Sequence, residues 1–398
     1  MENVYYRYQH GQDKLLQSTH CKRLNEAYFL PYTISSYHKD AKFHNDKKYL
    51  VFDRRRDMKT VDTLPPIRHL ATIGNAVVSL VDIKPDSLQL DHWNKWLSVF
   101  AAAEVKSIEE GFADDILVVS TGPLQCLPAK KHAIDPELHA ELLCKSTIPL
   151  IGVPTPRLME EGNISFPCML KVDQSSAGHG NYVVHNSQEL KEVVAEIRDK
   201  CFWTGKYILQ EYIPDAVTMG YYFYVFKSGY IHWLGSLTGT ISKDFKWVAG
   251  MGDWNKQEEL KKAVYKEFIL PVKNFLHTSG YFGIVNIEIL EKEGKRYMVD
   301  LNCRLPSVLP QLFISPYMAK LGLPKSLMSK GKILRCTRTE LFAMAEEINK
   351  KGPGKVIVLA AADVDGVFKA DLGFFAETMS GIEALIGILE QVNKSITS

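Results

Sequence analysis

In the stretch NIEILEKEGKRYMVDLNCRLP, Asn286 to Pro306, polar side chains recur at every second position on two apolar runs. Strand side chains alternate between faces, so Asn286 and Glu288 point one way together, and so do Asp300, Asn302 and Arg304. If the runs pair through a turn at Glu291-Lys292-Glu293-Gly294, Glu288 falls close to Asp300. Two carboxylates at that distance repel unless a cation neutralises them. Carboxylate and amide oxygens are hard ligands of the kind Mg²⁺ takes, alongside water and substrate phosphates. Ile287, Ile289, Val299 and Leu301, in between, put a buried layer behind them. A solvated hairpin face would carry the same residues, and the pattern alone leaves both readings open.

A second stretch, LKVDQSSAGHGNYVV from Leu170 to Val184, sets Lys171 on an apolar run and turns back through a loop poor in large side chains. A glycine hairpin that happens to follow a lysine would look like this. So would a phosphate lid, in which backbone N–H groups and an ammonium face a nucleotide. His179, inside the loop, fits a solvated role as well as a phosphate contact.

The elements that must position these residues are readable in part. The 398 residues, 46% of them hydrophobic, suffice for two or three domains. A formal charge of +2 gives no footprint for nucleic acid. The run Asp53-Arg54-Arg55-Arg56-Asp57 reads as a solvated turn. Seven cysteines without a CxxC pair argue against a disulfide framework or a zinc knuckle. No apolar leader or membrane-length run is visible, so a cytoplasmic protein without membrane or nucleic-acid partners is expected. Ala76–Asp82 and Ile116–Val119 read as buried strands around a helix from Leu88 to Val105, which suggests a parallel α/β layer. Asp135 to Thr147 reads as a helix and Ile151–Pro156 as an extended linker. A small α+β block follows: strands at Met169–Asp173, Tyr182–Val184 and Tyr207–Glu211, a helix capped by Ser187, and a hairpin of Tyr221–Phe226 with Tyr230–Leu234. Beyond Leu237 come a long helix from Glu258 to Thr278, the polar hairpin, a helix from Thr337 to Lys350, a strand at Val356–Ala361 and a closing helix from Met379 to Asn393.

Taken in order, DPELHAELLCKSTIPLIGVPTP, FPCMLKVDQSSAGHGNYVV, YILQEYIP, GYFGIVNIEIL and YMVDLNCRLPS resemble the ATP-grasp superfamily, and within it the carboxylate–amine ligases. The resemblance runs from Asp135 to Asn302 and thins toward both ends. It implies an α/β and α+β chain: an ATP-grasp fold with an N-terminal Rossmann-like pre-ATP-grasp domain. The expected divisions are residues 1–145, a small lid subdomain over 146–235, and a large subdomain with a C-terminal extension over 236–398. Its cofactors would be ATP and Mg²⁺, with Mn²⁺ as a substitute. By this resemblance Lys145 and Lys171 contact the α- and β-phosphates, and Ser175, Ser176, Gly178 and Gly180 let backbone N–H groups approach them. Gln210, Glu211, Tyr212 and Ile213 match the hinge that reads adenine. The family often carries a glycine and an acid just after it; here Asp215 is the candidate for ribose. Glu288 and Asp300 would bind the metal, Asn302 would complete the site, Arg304 would steady the transferred phosphoryl group, and Asn286 would assist.

The activity implied is phosphorylation of a small-molecule carboxylate by ATP, then attack of an amine on the acyl phosphate, in a site the small module closes as a lid. A carboxylase or carbamoyl-phosphate type of enzyme, a plain kinase, and a catalytically silent nucleotide-binding protein are the alternatives. A homodimer is the candidate assembly. Cys303 reads as core. Tyr221 to Tyr224 read as hairpin core rather than a ligand wall, and Lys243 and Lys246 stand between a substrate role and a solvated loop.

Overall fold

A computed structural model describes residues 28–30, 58–73, 79–97, 104–124, 127–160, 162–175, 178–199, 205–242 and 247–395. Among these residues the strands form three sheets. The first is built from β1 (Tyr28–Phe29), α1 (Met58–Ile73), β2 (Ser79–Leu80), α2 (Ser87–Trp96), β3 (Val105–Lys106), α3 (Ile108–Ala113) and β4 (Val118–Val119). Its four short strands are parallel in the order β3-β2-β1-β4, the product of alternating strands and helices. Helix α2 ends at Trp96, short of the expected Val105, which begins β3. Of the strand expected over Ala76–Asp82, Ala76 to Val78 lie outside the described residues.

Helix α4 (Pro136–Leu142) starts at Asp135, whose carboxylate accepts from the Glu137 and Leu138 amides, each at 3.0 Å. The helix does not run on to Thr147. A 3-10 turn from Lys145 to Ile151 replaces it, because Pro149 lacks the amide that an α-turn onto Lys145 requires. Gly152, at φ 77°, ends that turn.

The second sheet contains β5 (Cys168–Val172), β6 (Asn181–Val184) and β7 (Tyr207–Glu211), in the antiparallel order β6-β5-β7, with α5 (Ser187–Arg198) on one face. Cys168, Leu170, Val172, Val193, Ile197 and Leu209 form its core. The cap of α5 is Asn186 rather than Ser187: its side-chain oxygen accepts from the Gln188 and Glu189 amides.

The remaining chain forms β8 (Val217–Val225), β9 (Ile231–Ile241), β10 (Trp247–Asp253), α6 (Gln257–Val264), α7 (Leu270–Thr278), β11 (Gly283–Lys292), β12 (Lys295–Asn302), α8 (Leu309–Lys320), β13 (Lys325–Leu334), α9 (Arg338–Lys351), β14 (Gly354–Val364), β15 (Val367–Ala376) and α10 (Met379–Ser395). Its eight strands run β12-β11-β8-β9-β10-β13-β15-β14. The single helix expected from Glu258 to Thr278 is interrupted by a π turn, where the Leu270 amide reaches back to Tyr265. Pro271 has no amide for Glu267, so the wider turn forms there.

The β8–β9 hairpin was expected in the small module, but it pairs between β11 and β10. Position 235 therefore falls inside β9, within the large sheet. Tyr221 and Phe223 pack into one core and Tyr222 and Tyr224 into the other. A strand buried on both faces belongs in the middle of a sheet, and these aromatics are hairpin core as expected. Among the described residues no helix is long and apolar enough to cross a membrane.

Candidate active site

The turn between β11 and β12 is tighter than the sequence suggested. Lys292 pairs with Lys295, leaving Glu293 and Gly294 at φ 52° and 75°. Two successive positive φ values make a type I′ turn, whose twist suits a hairpin. That turn sets the register: Glu288 lies opposite Asp300, and Asn286 opposite Asn302. The Asn302 amide donates to Asn286 Oδ1 at 3.1 Å. Ile287, Ile289, Met298, Leu301 and Cys303 are buried behind them. Burial holds the Cys303 thiol well above its ordinary pKa, so it is core, as expected, and not a nucleophile.

After the Glu288–Asp300 pair the register slips: Ile289 faces Met298, and Val299 is the extra residue. A bulge of this kind releases a backbone group from the ladder. Lys171 Nζ donates to the Val299 carbonyl at 2.9 Å. Lys145 Nζ lies 2.7 Å from Asp300 Oδ1. The two lysines thus bond to adjacent residues of one strand.

One joint delivers both. Asp173, just past β5, accepts the Lys145 amide on its backbone oxygen at 2.8 Å and the Ser146 amide on Oδ1 at 2.8 Å. The Ser146 hydroxyl donates to Asp173 Oδ2 at 3.1 Å. Burial pushes the Lys171 ammonium down to about 8, with the Lys145 charge acting the same way. Burial and the Asp300 charge push Glu288 up to about 7. Burial acts most strongly to raise Asp300, but the Lys145, Lys171 and Arg304 charges together, with the hydrogen bond from Lys145, hold this carboxyl below its usual range. Arg304 adds a third positive charge that both carboxylates feel.

Among the described residues, no group of three or more His, Cys, Asp and Glu side chains could hold a metal ion. The hairpin instead offers two carboxylates and the Asn302 amide. These are hard oxygen donors, too few to enclose an ion by themselves but suited to Mg²⁺ or Mn²⁺ that arrives with phosphate oxygens.

No family model matches the chain. Over 167 residues it is 25% identical to the formate-dependent phosphoribosylglycinamide formyltransferase of Sulfurisphaera tokodaii, a match covering 35% of this chain and 41% of that protein. The chain thus spans about two fifths of the length of the curated relative it matches. N5-carboxyaminoimidazole ribonucleotide synthetase from Thermus thermophilus superposes with a TM-score of 0.51 at 14% identity, over 83% of this chain and 96% of that one. The Staphylococcus aureus N5-carboxyaminoimidazole synthetase gives a TM-score of 0.49 at 12% identity, over 82% and 95%. The chain has the ATP-grasp fold.

Within this fold the glycine loop joins β5 to β6. Gly178 and Gly180 sit at φ 78° and 75°, and the Val172 amide closes the loop onto the Gly180 carbonyl at 2.9 Å. Both positions take the left-handed conformation that glycine adopts without a Cβ clash. Ser175 leads into the loop; Ser176 lies outside the described residues, as do Lys243 and Lys246. In the segment expected to form the hinge, Gln210 is buried, Tyr212 and Ile213 are half-buried, and Glu211 is exposed. The Glu211 amide donates to Arg157 O at 2.8 Å, so the incoming linker runs along β7. Lys292 Nζ donates to Pro214 O at 3.0 Å and ties the segment after β7 to the β11–β12 turn. Asp215, at φ 55°, takes a glycine-like conformation just where the family often has glycine.

Three contributors were not anticipated. Asp173 is the joint described above. His139 donates through Nε2 to the Cys303 carbonyl at 2.8 Å and holds the segment between Asn302 and Arg304. Tyr222 lies opposite Asn286 on β8, and burial together with the Glu288 charge keeps its hydroxyl protonated. A Cβ on Gly220 would stand 2.7 Å from that hydroxyl oxygen, so glycine gives the ring its seat. The signals were present, an acid two residues past Lys171 and a polar-tipped aromatic at strand spacing, but neither names its partner.

Proposed function

We propose that this chain is an ATP-dependent ligase of the cytoplasm that joins a small-molecule carboxylate to an amine and releases ADP and phosphate. The observation that carries the reading is Glu288 facing Asp300 across one hairpin whose second strand also receives Lys145 and Lys171. A carboxylate is a poor electrophile because its leaving group would be oxide. Transfer of the γ-phosphoryl group to a carboxylate oxygen gives an acyl phosphate and ADP. The amine nitrogen then attacks the carbonyl carbon, the C–O bond to phosphate breaks with its electron pair, and the nitrogen loses a proton.

The protein's share is positioning and charge. Lys145 and Lys171 would exchange their bonds to Asp300 and Val299 for α- and β-phosphate oxygens. The amides of Ser175, Ser176, Gly178 and Gly180 would cover the phosphates. Gln210 to Ile213 would hold adenine, and Asp215 the ribose. Arg304 would steady the transferred group, with Asn286 orienting Asn302. Glu288, Asp300 and Asn302 would hold a divalent ion, which neutralises phosphate charge. In this reading residues 1–145 form the first domain. The unit carrying β5 to β7 closes as a lid on the remainder, with its far boundary at the hinge rather than at residue 235.

The relative from Sulfurisphaera tokodaii is named formate-dependent, which puts formate first on a panel of acids. The test is purified protein with ATP, Mg²⁺, that panel and a set of amines. Amine-dependent release of ADP and phosphate, one of each per amide, is expected. Strict dependence on bicarbonate would make the enzyme a carboxylase. AMP with pyrophosphate would overturn the acyl-phosphate route.

A further inference from the structure

Beyond β12 the chain passes from Arg304 to Ser307 and into α8, and there it meets two other segments. Lys330 Nζ donates to Ser307 Oγ at 2.8 Å. Lys330 sits where the β13–β15 register slips, between Ser329 and Lys332. The next residue, Gly331, is at φ 60° and donates its amide to Asp371 Oδ1 at 2.6 Å. The other oxygen of Asp371 receives Arg68 Nη1 from α1 at 2.6 Å. Asp371 therefore fixes the bulge and the helix together, with both of its oxygens occupied.

His69 is the next residue on α1. Arg68 and Lys330 are the charges it feels, and both act with burial to keep it neutral. His69 is 2% exposed, yet its Nδ1 has no hydrogen-bond partner, and neither has Nε of Arg68, itself 4% exposed. Buried nitrogens are normally matched; Arg68 Nε can only donate, and His69 Nδ1 donates in its Nδ1–H tautomer, so both unmatched nitrogens then call for an acceptor. Lys330 and Ser307 are half-buried and so remain reachable from solvent. Ser307 lies three residues past Arg304, so their Cα atoms are at most about 10 Å apart.

We propose that His69, Ser307 and Lys330 form a subsite for a second anionic group of the substrate, a carboxylate or phosphate set apart from the carboxylate that reacts at Arg304. The proposal rests on the ligase reading for what happens at Arg304, and it narrows the substrate class to small molecules with two anionic ends.

The test needs no nucleotide. Full-length protein with ¹³C-labelled histidine is titrated with inorganic phosphate and, separately, with succinate, the His69 resonance being assigned through His69→Gln. A saturable shift of that resonance is expected with at least one anion. A response to phosphate alone assigns a phosphate group, and a response to succinate alone a carboxylate. Lys330→Met and Ser307→Ala, both at half-buried positions, should each weaken the response roughly tenfold or more. No shift with either anion, or a response unchanged in Lys330→Met, overturns the subsite. ATP binding by the unaltered protein, measured by calorimetry, tests the nucleotide side of the ligase reading separately, so either can fail without the other.

Discussion

The two edges of the eight-stranded sheet are closed by the same geometric device with opposite chemistry. At the β12 edge the bulge at Val299 frees a carbonyl, and a lysine ammonium takes it. At the β14 edge the register slips between Val358 and Ala360. There the Val358 carbonyl accepts from Gln89 Nε2 at 2.7 Å and Trp93 Nε1 at 2.9 Å, while its amide donates to His92 Nε2 at 3.0 Å. Two residues earlier, Asn349 exchanges both bonds with the Val356 backbone. An open edge must be covered or paired. The cover over β14 is neutral at Val356 and Val358, and the Arg338 guanidinium that reaches the Ala361 carbonyl is already paired with Asp86, so this edge asks nothing of a ligand. The charged cover over β12 leaves Glu288 near its neutral form and Lys171 destabilised as a cation. Charge buried at such cost is what a phosphate and a metal ion would relieve.

The largest effect is expected where this contrast is sharpest. Glu288→Gln and Asp300→Asn should each lower turnover on the order of 1,000-fold, with melting temperatures near the parent value. Steady-state ADP formation at saturating Mg²⁺ checks this, and full activity in both variants would remove the hairpin from the chemistry. The neutral edge should show itself in stability instead. Burial holds His92 neutral, with a pKa lowered to about 4, and its Nε2 is the acceptor for the Val358 amide. The unfolded chain gains this proton near pH 6.5, whereas the folded chain resists it until about pH 4. Stability is therefore full above pH 6.5, falls as pH drops toward about 4, and then levels off, a loss on the order of 3 kcal/mol. His139, lowered to about 4 by burial, adds to the same slope. Urea unfolding across that range should show the decline, and His92→Gln, which accepts without titrating, should flatten its own share. A slope identical in His92→Gln would mean the edge contact carries none of it.

Smaller effects separate the edges further. Lys171→Ala should weaken ATP binding about tenfold while leaving binding of the acid nearly untouched; unchanged ATP affinity by calorimetry would place Lys171 outside the nucleotide site. Gln89→Leu leaves Trp93 on the Val358 carbonyl, so its cost should be only about 1 kcal/mol, with kcat unchanged. A fall in kcat there would show that the β14 edge is not the neutral scaffold described above.

Much of the candidate site was legible because its logic is local. Alternation puts Asn286 with Glu288 and Asp300 with Asn302, and a short turn closed by Gly294 brings the two sets opposite each other. The glycine loop was legible for the same reason, since Gly178 and Gly180 occupy conformations that few other residues tolerate. The parallel layer followed from strands alternating with helices, and the ATP-grasp fold from the resemblance of the ordered segments to that superfamily. Some misses were local, as where Pro149 turns the end of α4 into a 3-10 turn; the sheet to which β8 and β9 belong depended on distant neighbours.

The sequence by itself determined which side chains could meet across the hairpin and which loop could cradle an anion, because spacing and φ preference act within a few residues. Only the tertiary structure decided that Lys145 would bond to Asp300, 155 positions away, and that a bulge would offer Val299 to Lys171. It alone joined α1 to β13 through Arg68 and Asp371, 303 positions apart. Those pairings exist because separate segments bury apolar faces against one another, and the polar groups carried along must then find whatever partners that packing brings within reach.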